Sequence, residues 1–329
     1  MNYQWLPKVE LHLHLDCSLS YKVVQQINSS ISYEEYKDSF IAPPKCTDLL
    51  DYIRRSVKGF ELMQTKEQLR LVTLDLFEQL KADNVIYAEI RFAPLLHITK
   101  GLNPVEVVQA VNDAAEEGIK NTGVQAGIIL CTLRHYTEEQ SMETAELVQQ
   151  FKGTHVVGFD IAADEAGYPV DAHIKAFEFA HTNGIHCTAH GGEARGADSV
   201  KEILQHLTPS RIGHGVRSAE DDKLLTYLKE NNIHLEVCPT SNIQTNVYDV
   251  IENHTANKIY NAGVSMSVNT DSRTITPTTL STEYSILEKI FDWKKEHFLR
   301  CNLEAIKHAF CDEELKESLK EKIFAAYGN

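Results

Sequence analysis

The chain has 329 residues, 43% of them hydrophobic, which suits a sizeable core in one large domain or two ordinary ones. Asp and Glu number 47 against 32 Lys and Arg, a formal net charge of -15, and this argues against a nucleic-acid partner because phosphate binding needs clustered base. No apolar run suggests a membrane span, and the first residues lack the basic and apolar regions of a signal peptide. Seven cysteines, widely spread and without a Cys-x-x-Cys pair, fit reduced thiols in a cytoplasmic protein rather than a cysteine-rich zinc site.

In chain order, the first element is the segment 8–16, Lys-Val-Glu-Leu-His-Leu-His-Leu-Asp. Successive side chains of a strand point to opposite faces, so Val9, Leu11, Leu13 and Leu15 share one face and Glu10, His12, His14 and Asp16 the other. Two imidazoles two residues apart can both reach one metal ion. The plain alternative is a half-exposed edge strand with fortuitous histidines. A long stretch follows in which extra helices are expected, for example around 48–63. Its apolar positions Leu50, Ile53, Val57 and Phe60 can cover a pocket mouth or simply pack.

Seven further short apolar runs read as strands, at 85–92, 124–132, 155–162, 185–189, 211–213, 234–238 and 264–269. Apolar residues at three- and four-residue spacing predict helices over 69–81, 104–121, 137–151, 171–183, 199–207 and 219–231, with 283–293 and 302–309 in the tail. Eight strands alternating with helices point to an α/β fold, a parallel (β/α)8 TIM barrel occupying the whole chain, 1–329, as a single domain. A doubly wound open sheet is the runner-up, and no Gly-x-Gly-x-x-Gly follows a strand to support its dinucleotide-binding version.

Chemistry in such barrels sits at the carboxyl ends of the strands. His12 and His14 fall near the end of the first strand and His190 at the end of the fifth. His214 ends the sixth, and Asp271 follows the eighth. Imidazoles and a carboxylate gathered at one mouth suit a divalent metal, zinc above all, though iron or cobalt can occupy such a set. Glu193, just after Gly191-Gly192, and His214 are placed to hold and move protons beside it. Each has an ordinary alternative on its own: a hydrogen-bonded histidine, a helix cap for Asp271, a first-turn helix acid for Glu193. Only joint placement argues for a hydrolytic site.

Those residues carry a resemblance to the adenosine deaminase family of metal-dependent amidohydrolases. The matching segments run in order: P-K-V-E-L-H-L-H-L-D at 7–16, Y-A-E-I-R-F-A-P at 87–94, L-R-H at 133–135, G-F-D-I-A-A-D-E at 158–165, T-A-H-G-G-E at 188–193, R-I-G-H-G at 211–215, E-V-C-P-T-S-N at 236–242 and N-T-D at 269–271. The resemblance implies one Zn2+ per chain on His12, His14, His190 and Asp271. It implies Glu193 as the acid that protonates purine N1, and His214, helped by Asp271, as the group that orients and deprotonates water. Substrate contacts are implied at His14, Asp16, Ala163 and Ser272. The Pro-Cys-x-x-Cys signature of cytidine-type deaminases is absent.

The implied substrate is a purine nucleoside, adenosine or 2′-deoxyadenosine, converted to the inosine product and ammonia. Asp16 favours a nucleoside, since relatives acting on free adenine tend to carry glutamate there. Three positions depart from the family pattern: Cys17 and Ala163 replace glycines, and Ser272 replaces Asp or Asn. The methyl of Ala163 is tolerable only where the backbone suits a non-glycine residue. These departures leave open another 6-aminopurine: adenine, 5′-methylthioadenosine or aminodeoxyfutalosine. A binding-only scaffold and a structural protein are the readings outside enzymology. Oligomeric state has no signature in the sequence.

Overall fold

The computed structural model describes residues 3–328. Eight strands form one sheet in simple chain order: β1 (Lys8–His14), β2 (Val85–Phe92), β3 (Gln125–Leu133), β4 (Val156–Ala162), β5 (His186–Gly191), β6 (Arg211–His214), β7 (His234–Val237) and β8 (Met266–Val268). Every neighbouring pair is parallel. The ring closes beyond the end of β8, where Asp271 bridges to Leu13. There the His14 N–H donates to the Asp271 carbonyl at 2.8 Å, and the Asp271 N–H to the His12 carbonyl at 3.0 Å. An open doubly wound sheet needs a reversal of strand order, and the observed order has none. The expected barrel is therefore the fold.

All eight expected strands are present, with no end shifted by more than two residues. The first needs correction. Both faces of β1 are buried, which removes the edge-strand alternative. Its pairing with β2 slips between Glu10 and Leu13. Leu15 and Asp16 do not extend it, because Leu15–Cys17 form a 3-10 turn. Strands of a parallel barrel are covered by helices outside and by side chains inside, so a buried polar face is what this architecture requires.

The connecting helices follow local signals. The helix Pro104–Thr122 begins with a reciprocal cap between Asn103 and Glu106 and ends on Gly123 at φ +78. The stretch 48–63 is two short helices, Leu49–Ile53 and Ser56–Glu61, rather than one. Asp48 caps the first through the Asp51 N–H, 2.8 Å away. Gly59 in the second lies so near the Leu15–Cys17 turn that a Cβ would sit 2.3 Å from the Asp16 carbonyl oxygen. That contact sets the pair against the end of β1. The tail holds Leu280–Phe291, Lys295–His308 and a further helix, Glu313–Tyr327, whose Leu319, Ile323 and Tyr327 are buried at four-residue spacing. Among the described residues no helix is long and apolar enough to cross a membrane.

Candidate active site

The carboxyl ends of the strands converge on a cavity of about 410 Å³. Ligand atoms of His12, His190, His214 and Asp271 all lie within 4.8 Å of one another. The Nε2 of His14 is 3.1 Å from that of His190 and 3.4 Å from Asp271 Oδ1. The fold thus brings together every residue singled out for metal or proton chemistry. Close approach depends on Gly213 in β6, where a Cβ would stand 2.9 Å from His12 Cε1.

Each imidazole is oriented from behind. The Nδ1 of His12 bonds Glu236 at 2.8 Å, and that of His190 bonds Asp160 at 3.0 Å. With their Nδ1 protons donated to carboxylates, both rings turn a bare Nε2 lone pair to the cavity. Glu236 and Asp160 belong to a fully buried chain of charges. Arg91 bonds both at 2.7 Å, and Arg211 joins Glu236 at 2.7 Å to Glu89 at 2.5 Å. The two guanidiniums hold the Glu236 carboxyl well below its ordinary range against the opposing effect of burial. These residues escaped the sequence reading. Their signal was present as acids and arginines inside otherwise apolar strands.

Burial pushes His14, His190 and His214 to lower pKa, favouring neutral rings. Among the described residues the buried Nε2 of His12 has no hydrogen-bond partner. Asp271 Oδ1 lies 3.4 Å from it, while Oδ2 accepts from Ser241 Oγ at 2.6 Å. Lone pairs of two imidazoles and a carboxylate therefore point at one place with no proton between them. A divalent cation fits that donor set, and nitrogen with oxygen is what zinc takes.

Glu193 follows the Gly191-Gly192 turn and is buried. Its Oε1 accepts from Thr245 Oγ1 at 3.1 Å, and its Oε2 lies 3.5 Å from His214 Nε2. Burial, then the charges of Asp271 and Glu165, raise its pKa well above the usual carboxylate value. Glu165 was not anticipated either. It accepts the backbone N–H groups of Gly192, Glu193 and Arg195 at 2.7, 3.0 and 3.0 Å, so one carboxylate fixes the whole turn.

A relay of donors sets the proton on His214. The Ala256 N–H donates to His254 Nδ1 at 3.0 Å, so His254 carries its proton on Nε2 and donates to Asn242 Oδ1 at 3.2 Å. The Asn242 amide must then donate to His214 Nδ1, 3.1 Å away. The neutral His214 ring accordingly presents Nε2–H to the cavity.

Among the expected substrate contacts, His14, Asp16, Ala163 and Ser272 all line the cavity, as does Cys17. Burial raises the Asp16 carboxyl to about 6. Ala163 has φ +78, so its backbone does not suit a non-glycine residue and the methyl is carried under strain. His214 and Asp271 also have positive φ, at 57 and 65. Three cavity-lining residues are thus held in costly conformations by their surroundings. Leu50, Ile53, Val57 and Phe60 line the mouth, and Leu50 and Val57 remain about 40% exposed.

Residues 7–326 match a family model described as adenosine deaminase. An adenosine deaminase from Clostridium acetobutylicum is 36% identical over 325 residues, covering 97% of each chain. The crystal structure of an adenine deaminase from Arthrobacter aurescens superimposes with TM-score 0.90 at 23% identity, covering 98% of this chain and 100% of that one. That of an Arabidopsis N6-mAMP deaminase gives 0.87 at 24%, covering 98% and 99%. At such identities the two structures speak to the fold.

Proposed function

Because the chain belongs to the adenosine deaminase family, we propose that it hydrolyses adenosine and 2′-deoxyadenosine to inosine and 2′-deoxyinosine, releasing ammonia. The observation that carries this reading is the Glu193 carboxyl facing His214 at 3.5 Å, beside the converging lone pairs of His12, His190 and Asp271. An acid, an oriented donor and a metal-fitting donor set meet in one buried cavity. We assign one Zn2+ per chain to His12, His14, His190 and Asp271. When bound, such a metal supplies positive charge that brings the pKa of water toward ~7.

The protein's own groups then divide the work. Asp271, anchored through Oδ2 by Ser241, takes the proton of the attacking water. The resemblance implies that His214 also deprotonates the water, but its Nε2 already carries a proton; it therefore directs that N–H at the water oxygen and holds it on line with purine C6, and the base role passes to Asp271. Glu193 delivers its proton to N1, which draws charge off the ring and makes C6 electrophilic. Oxygen adds at C6, Asp271 passes the water proton to the amino group, the C6–N bond breaks and ammonia leaves, while the C6 hydroxyl returns its proton to Glu193 as the 6-oxo group forms. Water plus nucleoside thereby balance against 6-oxopurine nucleoside plus ammonia. We assign Asp16 and His14, which line the cavity, to the ribose hydroxyl. The apolar mouth around Ile53 and Phe60 excludes bulk water. We place this activity in one catalytic domain in the cytoplasm, a setting that the seven free cysteines support. The partner is a small purine nucleoside.

A second reading keeps the reaction and changes the purine to adenine, 5′-methylthioadenosine or aminodeoxyfutalosine. The strained Ala163 and the short Ser272 at the base-binding wall favour it. A panel of these compounds with adenosine and 2′-deoxyadenosine, followed by loss of adenine absorbance and release of ammonia, separates the two. Adenosine and 2′-deoxyadenosine are expected to be the best substrates, and preference for another purine moves the assignment to it. Glu193→Gln should keep its metal and lose about 10²–10⁴ in turnover. Full activity in that variant would overturn the role of Glu193.

A further inference from the structure

One group in the cavity wall has no part in the chemistry above. Tyr52 sits on the short helix Leu49–Ile53 and is 5% exposed. Its hydroxyl reaches across to the barrel, 2.7 Å from Thr276 Oγ1 and 3.3 Å from Ser272 Oγ. Ser272 Oγ also accepts the Thr276 N–H at 2.9 Å. Tyr52 and Ser272 line the cavity, whereas Thr276 is fully enclosed behind them.

Three hydroxyls joined by two contacts have three protons and two places to put them. One proton is always left over. If Tyr52 donates to Thr276 and Ser272 to Tyr52, the spare proton falls on Thr276, whose Oγ1 has no second partner among the described residues and no access to water. An unmet donor in that position pays its full desolvation penalty. In the other arrangements Thr276 donates to Tyr52, and the spare proton lies on a hydroxyl that faces the cavity. A phenol is a better donor and a poorer acceptor than an aliphatic alcohol, so Tyr52 passes its proton on to Ser272. Ser272 Oγ then accepts from the Tyr52 hydroxyl and the Thr276 N–H, which leaves its own proton to point into the cavity.

We propose that Tyr52, held by Thr276, is a positioning residue that fixes Ser272 as a hydrogen-bond donor toward the base. The mouth helix thereby takes part in base selection. In the deaminase reading N1 lies at Glu193 and C6 at Asp271, which leaves the imidazole edge for Ser272, so the ligand class selected is a purine with a bare ring nitrogen on that edge, and a base with a C–H there is refused. This inference rests on the deaminase reading, which brings a purine to this wall.

The test compares binding of inosine and 7-deazainosine, which differ only in that ring atom, by calorimetry on the full-length zinc-loaded protein. The parent should bind inosine about tenfold more tightly, the size of one good hydrogen bond. In Tyr52→Phe and in Thr276→Val the ratio should contract by about threefold or more, with 7-deazainosine affinity held within about twofold. Thr276→Ser, which keeps the hydroxyl, should restore the parent ratio. A parent ratio near one overturns the donor role of Ser272. A ratio unchanged in Tyr52→Phe, or equal weakening of both ligands, overturns the role of Tyr52. Failure of the parent to bind either ligand overturns the nucleoside reading itself, and this inference with it.

Discussion

Asn242 donates from its side-chain amide to Nδ1 of His214 across 3.1 Å, and that bond decides which nitrogen of His214 carries the proton. The amide is itself locked by His254, so the choice is made two side chains away from the cavity. Asn242→Leu removes the lock and lets His214 adopt either tautomer. Turnover should fall about tenfold or more while metal content and KM change little. An unaltered kcat in a metal-loaded variant would remove the tautomer from the mechanism.

Glu236 has two duties, orienting His12 and neutralising Arg91 and Arg211, all without solvent access. Glu236→Gln keeps the shape and removes the charge. Breaking a buried ion cluster typically costs about 3–5 kcal/mol, and loss of an outer carboxylate weakens metal binding about 10–100-fold. Urea unfolding and chelator competition should report both losses. A stable variant with parental metal affinity would contradict this account.

Ala163 stands at φ +78 in the cavity wall. A left-handed alanine costs about 1–2 kcal/mol, and glycine removes that cost while adding about 0.5–1 kcal/mol of chain entropy to the unfolded state. Ala163→Gly should leave stability equal or raise it by up to about 1.5 kcal/mol. Thermal melts check the sign, and a clear loss of stability would show that the methyl packs well enough to outweigh its strain.

Burial keeps several histidines neutral: His97, His173 and His308 fall from 6.5 to about 4, and His254 to about 3. A lowered pKa means the unfolded chain binds the proton first as pH drops. The stability these residues contribute is complete above about 6.5 and drains away toward 4, each by up to roughly 3 kcal/mol. Glu283 runs the other way. Burial raises it to about 7, so its contribution is complete below about 4.5 and is lost as pH climbs through 7. The histidines outnumber it, and net stability should fall from pH 6.5 to 4. His173→Gln should flatten that fall relative to the parent under identical metal loading. Parallel pH curves for parent and variant would reject the assignment.

Much of this molecule was legible in order along the chain. Alternation and run length exposed eight strands, and the rule that barrel chemistry lies at strand ends picked out His12, His14, His190, His214 and Asp271. Glu193 stood out through its place after the Gly191-Gly192 turn. These are local signals, readable because period and position along one strand are properties of neighbouring residues. The roles of Arg91, Asp160 and Glu236 were not readable, since their partners come from strands 69 and 145 residues apart in the chain. Nor were the tautomer of His214 and the company of Tyr52, which hang on Asn242 and Thr276 meeting them across the barrel mouth. The sequence by itself determined the fold and the chemical groups, through periodicity and the order of strand ends. Only the tertiary structure decided the backbone strain at Ala163 and which hydrogen-bond partner orients each group, because closing the ring is what brings distant donors and acceptors within 3 Å or so of each other.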